Sequence, residues 1–232
     1  MSARCARFAE GSIYHGDCLD VLPELTESRF DLVYLDPPFN TGRARAARIG
    51  TGQRARGTPA YVDHWGGLDG FLEMLEPRLR AFRPLLSAKA SVWLHLGHQA
   101  VHDAKSVMDR VFGRAAFQGE VVWVPGNGAR RRSAPSVTHQ TILIYAPSGS
   151  MLWNGEDPVL REPYAETSMK MHFQNVDGNG RRFRERSIGG KTYRYYADGG
   201  RRIGSVWSDC PAMRANTPLV RETTGYPTQK PE

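Results

Sequence analysis

Residues 30–42 read FDLVYLDPPFNTG. The first six are a short apolar run rich in β-forming side chains, and the run stops abruptly at an acid, two prolines and an aromatic ring. A brief continuous apolar stretch bounded by turn residues has the form of a buried strand of a parallel or mixed sheet. In open α/β sheets the ligand sits outside the carboxyl ends of the strands, so Asp36 and the residues after it fall where a site belongs.

Outward from this strand, short apolar runs alternate with helical patterns over the first two thirds of the chain. The strand candidates are SIYHG at 12–16, DLVYLD at 31–36, SVWLHL at 91–96, EVVWV at 120–124 and TILIYA at 141–146. CLDVLPEL at 18–25, residues 68–86 and residues 98–113 show apolar spacing of three and four, and the last of these closes on Gly113, a fitting helix terminator. The alternation predicts an α/β fold around a mostly parallel sheet. EVVWV and TILIYA are joined by a polar connection without helical pattern, which predicts an antiparallel hairpin at one sheet edge. Residues 43–57, RARAARIGTGQRARG, are basic, glycine-bearing and weakly periodic, and are expected to form a mobile loop. From about residue 151 to 204 the text changes to paired glycines, many arginines and interleaved tyrosines. The expected organisation is a core at 1–150, an inserted basic lobe at 151–204 and a return segment at 205–232.

Composition limits the function classes. The chain of 232 residues is 40% hydrophobic, enough for a real core, and carries a formal net charge of +7 with a pI near 9.5. Such a charge favours a polyanionic partner, with nucleic acid first. Cys5, Cys18 and Cys210 are odd in number and widely spaced, which points away from a disulfide framework or zinc ribbon and toward a reducing, cytoplasmic setting. The N-terminus lacks a signal-peptide core and no stretch has the apolar length of a membrane span, so a soluble protein is expected.

The chemistry concentrates at Asp36. Proline has no N–H and a fixed φ, so Pro37 and Pro38 make a rigid turn whose carbonyls only accept. The Asp36 carboxylate and the Pro37 carbonyl form a fixed pair of acceptors suited to a planar NH2 group, and Phe39 offers a face for a flat ring. An amino-bearing nucleobase meets all three conditions.

The chain resembles the amino-methylating DNA methyltransferases that carry Asp-Pro-Pro-Tyr/Phe, in particular the beta class, whose catalytic motif precedes its cofactor motif. The likeness rests on GDCLDVLPEL, FDLVYLDPPFNTG, YVDHWGGLDGFL, SVWLHLG, VFGRAAFQGEVVW, HQTILIYA, VWSDCP and GYPTQKPE, in that family's order. It implies a Rossmann-like methyltransferase sheet, S-adenosylmethionine as methyl donor, double-stranded DNA as substrate in a restriction-modification setting, and N6 of adenine as target, since the motif begins with Asp. Asp36, Pro37, Pro38 and Phe39 would then be catalytic. Asp17 and Cys18 would lie at the adenosine part of the donor, with Asp36 nearby, and Thr228, Gln229 and Lys230 at its methionine end. A helix N-cap is the competing role for Asp17.

The family's Phe-x-Gly-x-Gly loop is not found; the GNG triplets at 126–128 and 178–180 lack the strand before and helix after. The expectation is an incomplete sheet with one unfilled edge, either because a second chain or another copy of this one completes it or because this is a truncated methyltransferase. The lobe at 151–204 is assigned to target recognition, and Arg130, Arg131 and Arg132, with Arg181, Arg182, Arg184, Arg186, Lys191, Arg201 and Arg202 in the lobe, are the candidates for DNA contact. Tyr193, Tyr195 and Tyr196 either pack the lobe's small core or stack on bases. Two rival readings remain: a zinc site from His95, His98 and His102, for which no acidic partner stands at hydrolase spacing, and a DNA-binding subunit without catalysis.

Overall fold

The computed structural model describes residues 4–25, 29–49, 56–126 and 128–211; Thr228, Gln229 and Lys230 lie outside the described residues. The chain divides into two compact units, one of residues up to 152 together with those from 207, the other Trp153–Val206.

The first unit runs β1 (Arg4–Phe8), β2 (Gly11–His15), α1 (Cys18–Val21), β3 (Phe30–Leu35), β4 (Arg43–Ile49), β5 (Arg56–Asp63), α2 (Leu68–Phe82), β6 (Leu86–Leu96), α3 (Val101–Phe112), β7 (Phe117–Trp123) and β8 (Gln140–Tyr145). The second holds β9 (Arg161–Glu162), α4 (Glu166–His172), β10 (Asn175–Val176), β11 (Arg182–Ile188), β12 (Lys191–Tyr196) and β13 (Arg201–Arg202), after which β14 (Val206–Trp207) follows.

The central sheet has the order β14-β7-β8-β6-β3. β3 and β6 are parallel, while β8 is antiparallel to both β6 and β7. The expected α/β class stands, but the sheet is mixed rather than mostly parallel. The cause lies in the connections. β6 reaches β7 through α3, a helical crossover that keeps their direction; β7 reaches β8 through the polar stretch 124–139, which turns the chain back into the gap between them. The carboxyl ends of β3, β6 and β7 therefore share one edge of the sheet.

Burial follows the pattern of the sequence. β6 is buried from Ala90 through Leu96, as a central strand covered on both faces must be. α2 presents Phe71, Leu75 and Leu79 to the core, and α3 presents Val101, Ala104, Val107, Met108 and Val111, the 3.6-residue stripe of a helix lying on a sheet. On the opposite face Trp93, Val121, Ile142 and Ile144 make a second cluster with Met151 and Trp207. Tyr145 Oη donates to Asp109 at 2.6 Å and Lys105 bonds the same carboxylate at 3.1 Å, tying β8 to α3.

Two expectations are corrected. SIYHG is a strand, but it pairs with β1 in a separate hairpin rather than joining the central sheet. Residues 43–57 are not simply a loop: 43–49 and 56–63 pair as the antiparallel hairpin β4–β5. Pro59, which cannot donate to a ladder, sits at the register shift opposite Ala46. Among the described residues β3 forms one edge of the central sheet, with Leu32 58% and Tyr34 45% exposed.

Candidate active site

β3 delivers Asp36 to the carboxyl edge of the sheet, exposed, with Pro37, Pro38, Phe39 and Asn40 half-buried behind it. The turn closes on Asn40, the one non-glycine residue with positive φ (56°) among those described, a conformation asparagine tolerates better than most side chains.

A buried carboxylate clamps this turn. Asp63, 1% exposed at the end of β5, accepts from Asn40 N (2.7 Å), Thr41 N (3.0 Å) and Thr41 Oγ1 (2.5 Å), while its own carbonyl accepts from Gly42 N (2.8 Å). A buried carboxylate needs such donors, and here all come from the segment after the prolines. Asn40 Nδ2 also donates to Gly67 O at the head of α2 (3.0 Å). Asp63 stands in YVDHWGG, and no motif within that stretch marks it as a clamp. The available signal was its place: a lone acid closing an apolar run just before a glycine pair.

The aromatic side of the turn is set by β6. His95, 1% exposed, lies 5.6 Å from the Phe39 ring and 5.5 Å from the Trp123 ring, centroid to centroid, and its Nδ1 bonds Tyr34 Oη at 2.5 Å. Burial, and then the nearby negative charge of Asp36, push the Tyr34 phenol up to about 12, so it stays protonated through the physiological range. Gly97 closes the arrangement: a Cβ there would meet Phe39 Cδ2 at 3.3 Å and Gln99 Oε1 at 2.8 Å, so the ring lies against bare backbone. His98 and His102 are exposed, whereas His95 faces three rings; the described residues hold no group of three or more His, Cys, Asp or Glu placed for a metal.

Asp17 stands elsewhere. It caps α1, accepting from Leu19 N at 2.9 Å, and its other oxygen accepts from Arg78 Nη2 at 2.5 Å. The Leu19 amide, followed by Arg78, holds its carboxyl below the usual range. Arg78 lies ten residues into α2, about 15 Å along the axis from the head that receives Asn40. The structure thus ties Asp17 to the later turns of α2 and the Asp36 turn to its head. Burial pushes the neighbouring Cys18 thiol up.

Arg130, Arg131 and Arg132 are exposed on the connection that leaves the carboxyl end of β7, and the amides of Arg130 and Arg131 are gathered by Ser136 Oγ (3.0 and 2.7 Å). The basic residues of the second unit separate into two groups. Arg181 pairs with Asp198 (2.7 Å), Arg201 with Glu162 (2.9 Å) and Arg202 with Glu156, while Arg184 is set among the rings of Tyr164, Phe173 and Tyr195 at 5.1–5.8 Å. Arg182, Arg186 and Lys191 are exposed and have no ion pair among the described residues.

The structure thus defines a mixed α/β sheet that presents an Asp-Pro-Pro-Phe turn at its carboxyl edge, with the His95 ring packed behind Phe39. The particular family follows from comparison: the DNA methylase family designated N6_N4_Mtase matches residues 30–232, and the chain belongs to it. S-adenosylmethionine is the cofactor of that family. The chain is 27% identical over 216 residues to the type II methyltransferase M.EcaI of Enterobacter cloacae, covering 86% of this chain and 44% of that protein. It is 23% identical over 159 residues to the Mod subunit of the type III restriction-modification enzyme EcoP15I of Escherichia coli, covering 59% of this chain and 24% of that subunit. The chain thus spans less than half the length of these relatives. A crystal structure of an M1.HpyAVI-SAM complex is similar at a TM-score of 0.39 and 13% identity, over 65% of this chain and 60% of that one, a likeness too loose to bear on the site. No helix among the described residues is long and apolar enough to cross a membrane.

Proposed function

We propose that this chain carries the catalytic and DNA-contacting residues of a methyltransferase that moves a methyl group from S-adenosylmethionine to the exocyclic amino group of a base in double-stranded DNA, N6 of adenine, within a restriction-modification system. The observation that carries the reading is the Asp36–Phe39 turn at the carboxyl ends of parallel β3 and β6, clamped by Asp63 and packed on His95.

The exocyclic nitrogen is a weak nucleophile because its lone pair is delocalised into the ring. Hydrogen bonds from that amino group to the Asp36 carboxylate and the Pro37 carbonyl draw the nitrogen toward tetrahedral geometry and localise the pair. Phe39 stacks on the base once it has left the duplex, an extrusion costing about a few kcal/mol. The two prolines and the Asp63 clamp hold both acceptors in place beforehand, so the rate gain comes from positioning and preorganised electrostatics.

The residues present fit the donor by charge. The donor supplies an electrophilic methyl on a cationic sulfonium, and the exposed Asp36 offers a negative charge close enough to raise the Tyr34 phenol. Asp17 and Cys18 would hold the adenosine part, and Thr228, Gln229 and Lys230 the methionine end. Among the described residues β3 is an open edge of the sheet, with Leu32 and Tyr34 exposed, and can take a further strand.

The test is transfer of radiolabelled methyl to mixed-sequence duplex DNA, followed by nucleoside analysis. N6-methyladenine supports the reading, N4-methylcytosine corrects the target, and no transfer by this chain, alone or as part of a longer protein that contains it, overturns it. A DNA-binding subunit without catalysis would tolerate Asp36→Asn unchanged.

A further inference from the structure

The second unit holds a hairpin whose two faces differ in kind. β11 and β12 are antiparallel and turn through Gly189 and Gly190, with φ of 58° and 77°, the paired positive values of a tight two-residue turn that only glycine adopts without cost. Directly opposed residues of a ladder share a face. One face carries Phe183 opposite Tyr196, Glu185 opposite Arg194 and Ser187 opposite Thr192. It is satisfied internally: Arg194 bonds Glu185 at 2.9 Å and covers the Phe183 ring at 4.0 Å, Ser187 and Thr192 share a hydrogen bond, and Arg181 lies 3.9 Å above Tyr196.

The other face carries Arg182, Arg184 opposite Tyr195, Arg186 opposite Tyr193, and Ile188 opposite Lys191. It holds no acid. Arg184 is occupied by rings at its base, but Arg182, Arg186 and Lys191 are exposed, and Tyr193 and Tyr195 are 46% and 38% exposed beside them. β10 pairs only with Arg182 and Phe183, so from Arg184 to the tip the element is a two-stranded ribbon. Strands in such a ribbon lie about 4.8 Å apart, and the major groove of B-DNA, about 12 Å wide, admits one.

We propose that this ribbon enters the major groove of duplex DNA with its acid-free face toward the nucleic acid, Arg182, Arg186 and Lys191 on phosphates and Tyr193 and Tyr195 against the groove wall. Arg181, Arg201 and Arg202 instead hold the unit together through Asp198, Glu162 and Glu156. The inference rests on the DNA reading above and narrows it, assigning contact to three of the seven basic residues that the sequence singled out in this unit.

The experiment measures binding of a fluorescein-labelled 24-base-pair mixed-sequence duplex to the whole chain by anisotropy from low to moderate salt. The triple change Arg182→Ala, Arg186→Ala, Lys191→Ala is expected to weaken binding at least about tenfold and to flatten the log–log salt slope by about one per charge removed. Tyr193→Ala with Tyr195→Ala weakens binding without altering the slope, and Arg201→Gln with Arg202→Gln leaves the slope as in the parent. Near-UV circular dichroism confirms that each variant stays folded. Bulky glucosyl groups on cytosine C5, which fill the major groove, lower affinity, whereas a minor-groove ligand does not. Parent-like binding by the triple variant, insensitivity to the glucosyl groups, or tighter binding of single strands than of duplex would each overturn the ribbon assignment while leaving the DNA reading intact. Failure of the parent chain to bind duplex at any salt would overturn both.

Discussion

At the scale of single residues, the candidate site is the Asp36–Phe39 turn, whose far side is held by a carboxylate elsewhere in the sequence. Asp36→Asn exchanges one acceptor oxygen for a donor and should lower methyl transfer by at least about 10²-fold, with duplex binding by anisotropy unchanged. Asp63→Ala strands the amides of Asn40 and Thr41 and the Thr41 hydroxyl, which should cost about 3 kcal/mol in urea unfolding and abolish transfer at the same time. Gly97→Ala presses a methyl group on the Phe39 ring at 3.3 Å and is expected to slow transfer about tenfold with little loss of stability. The Asp36 tetrapeptide was legible from residue types, because proline and aspartate have few ways to serve at a strand end. Asp63 was not: a carboxylate is recognised as a clamp only once its donors, twenty-two and twenty-three residues away, are seen to converge on it.

Among the elements, the join of α3 to β8 carries a readable pH dependence. The Tyr145 hydrogen bond, then Lys105, holds the Asp109 carboxyl below its usual 3.8, and burial together with the Asp109 charge pushes the Tyr145 phenol up. A carboxyl depressed in the folded state stabilises it above the unfolded value, and that contribution fades as the pH falls through the folded value. Asp109→Asn should therefore unfold at lower temperature near neutrality, and its melting temperature should fall less steeply than the parent's below about pH 4. Tyr145→Phe tests the same bond from the other side and should cost about 1–2 kcal/mol at neutral pH. Strand and helix identities were plain in the sequence for β3, β6, α2, α3, β7 and β8, where period and flanking residues agree. The β4–β5 hairpin was missed because basic, glycine-bearing text reads as loop whenever pairing partners are out of view.

Across the whole molecule the two compact units differ in their means of stability. The first has a continuous core across α2, α3 and the sheet, while the second, Trp153–Val206, buries fully only Phe173 and Phe183 among its hydrophobic side chains and is otherwise held by arginine–aromatic and ion-pair contacts. So small a core is marginal. Phe173→Ala should cost about 3–5 kcal/mol and unfold the second unit alone. In hydrogen exchange, the amides of β11 and β12 would lose protection while those of β6 and α3 keep theirs; loss of protection in both units together would show a single cooperative body.

The sequence by itself determined the class of fold, the strand that ends in Asp36, the Asp-Pro-Pro-Phe turn that follows it, and the basic character of residues 151–204, because each follows from local residue chemistry and spacing. Tertiary structure alone decided that the sheet is mixed, that β8 runs between β6 and β7, that Asp63 and His95 hold the turn, and that Arg182, Arg186 and Lys191 share an acid-free face while Arg181, Arg201 and Arg202 are neutralised. Each of these depends on which distant groups come within hydrogen-bond or ion-pair reach, and spacing along the chain does not encode that.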